Sequence, residues 1–192
     1  MAMIGGHWRQ RGRSPVAPEA YDEDYFLGEC EGYEEYRRTG GRQLPARLSL
    51  ALSLAGDLTG LRVLDLGCGR GELLLHASQR ARLATGIDYS LDALALAARI
   101  VPGDRARLIR ARVSQLPFEK GSYDVIFALD LVEHLLPEEL AAMLSEAHGV
   151  LVPGGSLVVH TMPNSWYYRY GYPLFRLFQR LRGTRLPRDP RE

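Results

Sequence analysis

The sequence predicts an open, doubly wound α/β domain, a mostly parallel sheet with helices on both faces. Three observations carry this. From Arg62 onward, short β-branched apolar runs alternate with longer helical ones, the pattern of crossover units. The first of those runs ends in a glycine-rich turn, "GCGRG", that opens a helix. A last helical run, "PEELAAMLSEAHGVL", gives way after "PGG" to another apolar run, "SLVVHTM".

Each element follows in order. Residues 1–20 have no apolar signal core and read as a disordered leader. Residues 21–60 are aromatic, acidic and glycine-punctuated at first, with short helical patches, then helical through "LPARLSLALSLAGDL". "RVLDL" is a strand, "GELLLHASQRA" a helix, "LATGID" a second strand, and "SLDALALAARIV" a helix capped by Ser90. "RARLIRARV" suggests a third strand and "YDVIFAL" a clear fourth. The helix beginning at Pro137 carries its proline in the first turn, and "SLVVHTM" is the fifth strand. In "PNSWYYRYGYPLFRLFQRLRGTRLPRDPRE", Leu174, Phe175, Leu177, Phe178 and Leu181 form an apolar stripe with Arg176 and Arg180 opposite.

Composition narrows the function. The 192 residues carry 24 basic and 23 acidic side chains, so net charge argues for neither a nucleic-acid nor a general membrane partner. Cys30 and Cys68 provide no disulfide framework, which fits a reducing cytoplasm. No apolar stretch in the sequence reaches the length of a membrane span.

In a doubly wound sheet the ligand sits at the carboxyl ends of the strands, so the glycine turn is the expected site. A dinucleotide fingerprint needs a third glycine where Glu72 stands, and a phosphate-binding P-loop needs Lys followed by Ser or Thr. The spacing instead reads acid-x-G-x-G-x-G, with Asp65, Gly67, Gly69 and Gly71. This resembles motif I of the class I S-adenosylmethionine-dependent methyltransferases, whose cationic ligand tolerates Asp65 and Glu72. "GIDYS", "LPFEKGSYDVIFALDLVEHL" and "VLVPGGSLVV" are similar to later motifs of the same family. They fall in the order and spacing of its methyltransferase-11-like and ubiquinone-pathway O-methyltransferase-like members.

The resemblance implies a Rossmann-like core at 61–162 that binds S-adenosylmethionine. Asp65, Gly67, Cys68, Gly69, Asp88, Tyr89, Arg112, Val113 and Leu129 would contact the cofactor, with Asp88 on both ribose hydroxyls. The family often has an aspartate where this chain has Arg112. An arginine cannot accept the adenine amino hydrogen, so Arg112 either stacks on the base or points to solvent, and the backbone N–H of Val113 is left to recognise it. Residues 21–60 resemble the family's helical lid, in which Arg37 or Arg38 would pair with the methionine carboxylate.

Further along, Asp130, Glu133 and His134 fall at i, i+3 and i+4, one face of a helical turn. They would hold a divalent metal, leave His134 as a general base, or leave it a structural residue that packs against the sheet or lines the substrate cavity; the metal-free case is favoured. His160 is a second candidate base at the edge of the site. The family's sheet usually closes with two hairpin strands that are not legible here, so the domain is expected to be truncated. Residues 163–192 would then form an aromatic, basic segment on the substrate side, with a membrane-surface contact through 166–182 as the alternative.

The predicted activity is methyl transfer, O-methylation favoured, to a small molecule or cell-envelope precursor. The alternatives are a truncated domain that binds the cofactor without turnover and a nicotinamide-dependent oxidoreductase, the latter disfavoured by Glu72.

Overall fold

The computed structural model describes residues 17–161 and 172–181. The chain divides into two compact units, one spanning 12–160 and the other formed by 1–11 with 161–192. The larger unit is a five-stranded, wholly parallel sheet in the order β3-β2-β1-β4-β5. Its strands are β1 (Arg62–Leu66), β2 (Leu83–Asp88), β3 (Ala106–Arg110), β4 (Tyr123–Leu129) and β5 (Leu151–His160). The strand order reverses between β1 and β4, which creates a crevice at their carboxyl ends.

β1 lies at the centre of the sheet and is buried on both faces, which is why it reads as a nearly continuous apolar run. Alternation still assigns its side chains. Val63 joins Leu48, Leu73, Val125 and Phe127 in one core. Leu64 and Leu66 join Ile126, Met143 and Ala147 in the other. Burying each such large side chain contributes about 1.5–3 kcal/mol. Helices α2 (Ala46–Ala55) and α3 (Glu72–Ala77) supply the first core. Helix α5 (Pro137–Val150) supplies the second through Met143, Ala147 and Val150 at helical spacing.

Caps are as local chemistry demands. Ser90 Oγ accepts from the backbone N–H of Ala93 at 3.2 Å and starts α4 (Leu91–Ala98). Glu139 accepts from the backbone N–H of Leu136 at 3.0 Å, with Pro137 opening α5. Ahead of α2, the chain makes a π-helical turn at Tyr25–Glu29 and the short helix α1 (Tyr33–Thr39).

Four expectations change. The helix expected over 71–81 ends at Ala77, where Ser78 turns its hydroxyl back to the Leu75 carbonyl at 2.9 Å. The third strand stops at Arg110, well short of Val113. β5 begins at Leu151 and runs through the expected "PGG" turn, with the extra residues absorbed where pairing jumps from Tyr123↔Leu151 to Val125↔Ser156. A Cβ at Gly155 would meet two carbonyl oxygens at 3.0 Å, so only glycine fits that irregularity.

The fourth concerns the turn after β4. Asp130 has φ +52°, the one non-glycine residue with positive φ among the described residues. The helical turn that follows covers only Val132–His134. Asp130, Glu133 and His134 therefore do not share a helical face. Among the described residues no group of three His, Cys, Asp or Glu side chains is arranged to hold a metal.

In the smaller unit the described element is α6 (Tyr172–Leu181). Among the described residues no helix is long and apolar enough to cross a membrane. The expected leader, apart from residues 17–20, and most of the segment 163–192 lie outside the described residues.

Candidate functional site

A cavity of about 180 Å³ opens at the carboxyl ends of β1, β2 and β4. Its floor is the glycine turn. The backbone N–H groups of Gly67 and Cys68 both donate to the Ile87 carbonyl at 2.9 Å, which pins the turn to the end of β2.

The three glycines serve different ends. Gly71 has φ +83°, and a Cβ there would strike Ala97 at 2.8 Å and Val101 at 2.9 Å, so it lets the turn pack on α4. At Gly67 a Cβ would press on the Leu131 side chain at 3.0 Å. Gly69, at φ +50°, would meet only the Phe26 ring, at 3.5 Å. The space beside Gly69 is thus bounded by a movable aromatic side chain and belongs to the cavity.

Two carboxyls stand at this floor. Asp88 accepts from the backbone N–H of Gly69 at 3.0 Å and of Ser90 at 2.9 Å. Burial raises its pKa, and these amide bonds pull it back. Asp65, at the end of β1, is 4% exposed. Burial, with Asp88 and Glu72 adding repulsion, pushes its pKa up to about 8. Cys68 also lines the cavity, but burial drives its thiol pKa far up. With its Sγ close over Gly86, it is a packing residue rather than a nucleophile.

The remaining predicted contacts divide by position. Leu129 is buried, Val113 and Tyr89 are half-buried, and all three line the cavity. Arg112 is an exposed residue at its rim, with its guanidinium 5.7 Å from the centre of the Tyr89 ring. His134 lines the cavity, and its Nδ1 is 2.8 Å from the Tyr21 hydroxyl. His160 does not line it. Its Nδ1 lies 2.6 Å from Oδ1 of Asp130, which does.

Several residues that line the cavity were not singled out from the sequence, although Tyr21, Tyr25 and Phe26 fall in the segment expected to form the lid. Tyr21, Tyr25 and Phe26 cover it, held there by the Ser90 hydroxyl donating to the Tyr21 carbonyl at 2.6 Å. Arg70, 3% exposed, donates to the carbonyls of Phe26 at 2.7 Å and Glu31 at 2.9 Å, and pairs with Glu72 at 3.1 Å. The glycine turn and its cover are therefore one hydrogen-bonded unit. This also corrects the reading of Glu72, whose charge is met by Arg70 rather than left bare toward a ligand.

The expected carboxylate partner changes too. Arg37 and Arg38 do not line the cavity, and Arg38 pairs with Glu35 in solvent. Arg47 of α2 does line it and donates from Nε to Oδ2 of Asp130 at 2.6 Å. An arginine on the polar side of a helix carries no sequence signal of this kind. Nor does the Arg70 position, which any residue could fill in the glycine pattern.

Comparison with known proteins agrees with this geometry. Residues 63–155 match the family model described as "Methyltransferase domain". An uncharacterized methyltransferase of Synechocystis sp. is 33% identical over 128 residues, 66% of this chain and 57% of that protein. A ubiquinone biosynthesis O-methyltransferase of Vibrio parahaemolyticus is 31% identical over 62% of this chain and 51% of its own length. The crystal structure of an S-adenosylmethionine-dependent methyltransferase from Mesorhizobium loti superposes with a TM-score of 0.55 at 27% identity, covering 60% and 53% of the two chains. The chain spans about half the length of the curated relatives it matches, from 42% to 57%. With the motifs, the parallel sheet and the cavity, these likenesses mark residues 63–155 as a methyltransferase domain similar to those of S-adenosylmethionine-dependent methyltransferases.

Proposed function

We propose that this chain transfers the methyl group of S-adenosylmethionine to a hydroxyl oxygen of a small molecule or a cell-envelope precursor. The observation that supports it best is a juxtaposition. One cavity holds Asp88 and the open side of Gly69 at its floor, and Asp130, paired with His160, at the end of the neighbouring strand.

The residues suit that cofactor. Asp88, held in place by the amides of Gly69 and Ser90, is the carboxylate that would accept from the ribose hydroxyls. Arg47 is the guanidinium placed for the methionine carboxylate, in exchange for its bond to Asp130. Leu129 and Val113 provide apolar walls for the adenine, and the Val113 N–H can reach its edge. Arg112 lies against Tyr89 at the rim.

When bound, the cofactor supplies an electrophilic methyl carbon on a sulfonium leaving group, so the protein's task is positioning and proton removal. Tyr21, Tyr25 and Phe26 exclude water. Asp130 accepts from Nδ1–H of His160, fixing the tautomer with Nε2 as the basic nitrogen. His160 Nε2, with no hydrogen-bond partner among the described residues, would take the hydroxyl proton of an acceptor that reaches past Asp130 to the edge of the cavity. His134, tied to Tyr21, holds the cover.

The O-methyltransferases among the relatives support a hydroxyl acceptor. The test is to incubate the purified chain with S-adenosylmethionine and a panel of phenols, catechols, alcohols and amines while following S-adenosylhomocysteine. Turnover confined to amines would overturn the hydroxyl assignment. Tight cofactor binding with no turnover on any acceptor would favour a binding domain instead.

A further inference from the structure

We propose that α6 docks this protein on an anionic lipid surface. The helix reads YPLFRLFQRL over Tyr172–Leu181. At about 100° per residue, Leu174, Phe175 and Leu177 fall within an arc of about 160°, while Arg176, Gln179 and Arg180 fall on the other side.

The apolar side is exposed, as are Pro173 and Arg180 on the other side. Leu174 is 70%, Leu177 56% and Phe175 44% exposed, whereas Tyr172, on the polar side, is 5% exposed. The other amphipathic helices do the reverse, burying Ala93, Leu96 and Ala97 in α4 and Met143, Ala147 and Val150 in α5. An outward apolar stripe backed by arginines is the build of an interfacial helix.

Charge selects the occupant. Residues 162–192 hold seven arginines against Asp189 and Glu192, while residues 1–161 hold 17 basic and 21 acidic side chains. The basic excess of the chain is thus confined to the segment that carries α6. A second copy would bring two such segments together with like charge. A helix of ten residues is about 15 Å long, too short to span a bilayer, and buries far less than a stable dimer requires. Anionic headgroups satisfy both the arginines and the stripe.

The proposal does not depend on methyl transfer and is tested apart from it. The full chain is sedimented with vesicles of phosphatidylcholine alone and with added phosphatidylglycerol, at low and high salt. Binding should appear with phosphatidylglycerol and fade with salt. Leu174→Ser with Leu177→Ser should abolish it, and Arg176→Gln with Arg180→Gln should weaken it about fivefold per arginine. Unchanged circular dichroism and S-adenosylmethionine affinity in both variants would show that the fold is intact. Binding that ignores both double variants, or no binding at all, would overturn the proposal. So would a dimer by light scattering that dissociates in the Leu174→Ser, Leu177→Ser variant.

Discussion

Oδ1 of Asp130 lies 2.6 Å from Nδ1 of His160, and Oδ2 of the same carboxylate lies 2.6 Å from Nε of Arg47. Asp130 thus bridges Arg47 of α2 to the end of β5, and holds a left-handed backbone to do so, with φ +52°. Such strain in a non-glycine residue clusters at functional sites. Asp130→Asn keeps the shape and tolerates the backbone but can present its amide to His160 in the wrong sense. It should lower kcat by at least about 100-fold, the low end of general-base contributions, with KM little changed. His160→Ala should do the same, and the double variant should be no worse than either single one. Steady-state kinetics showing full kcat in His160→Ala, with loss in His134→Ala, would assign the base to His134.

Asp88 is the proposed cofactor contact most easily isolated. Asp88→Ala should weaken S-adenosylmethionine binding by about 1.5–3 kcal/mol, the loss expected for charged hydrogen bonds. Titration calorimetry reads this directly. Unchanged affinity would remove Asp88 from the site.

Burial and two carboxylate neighbours hold Asp65 up to about 8, so it is protonated at neutral pH. A cationic sulfonium at the glycine turn favours its ionised form, and binding should release protons. Calorimetry in buffers of different ionisation enthalpy should show that release at pH 7 and its loss in Asp65→Asn. The same shift affects stability. The folded pKa is raised from 3.8, so the contribution is complete below 3.8 and is lost as pH rises to about 8. Asp65→Asn should therefore raise Tm relative to the parent most clearly at pH 8 and above.

Arg70 and Glu72 form a buried pair whose side chains are 2% and 7% exposed. Removing one partner leaves the other charged and unpaired. Arg70→Ala should cost about 3–5 kcal/mol in urea unfolding, and Arg70→Ala with Glu72→Ala should cost less than Arg70→Ala alone. Because Arg70 also holds the Phe26 and Glu31 carbonyls, the single variant should expose the 17–39 segment to proteolysis. A cover equally resistant in both proteins would mean that Arg70 serves only the core.

The sheet was legible because β1, β2 and β4 are buried runs ending where the apolar pattern ends, and their observed limits match residue for residue. The floor of the site was legible for a related reason, since glycine spacing and Asp88 are local signals. What sequence periodicity could not show are the long-range pairings. Arg47 meets Asp130 from 83 positions away, and Tyr21 meets His134 from 113. The face predicted for Asp130, Glu133 and His134 failed because helical spacing was assumed where Asp130 adopts positive φ.

Gly69 and Gly71 separate ligand binding from folding. Both have positive φ, so alanine at either costs about 1–2 kcal/mol in backbone strain. At Gly71 the new methyl would also lie 2.8 Å from Ala97 Cβ and 3.1 Å from its Cα, which is backbone and cannot swing away. Overpacking of that kind adds about 1–3 kcal/mol, so Gly71→Ala should lose about 2–5 kcal/mol of stability. At Gly69 the nearest neighbour is the Phe26 ring at an ordinary 3.5 Å. Gly69→Ala should therefore remain folded with a modest fall in Tm, and Gly69→Val, whose branches reach further into the cavity, should lose S-adenosylmethionine binding. Urea unfolding paired with cofactor titration checks both. If Gly69→Val binds the cofactor as the parent does, the space beside that glycine is not the ligand's path.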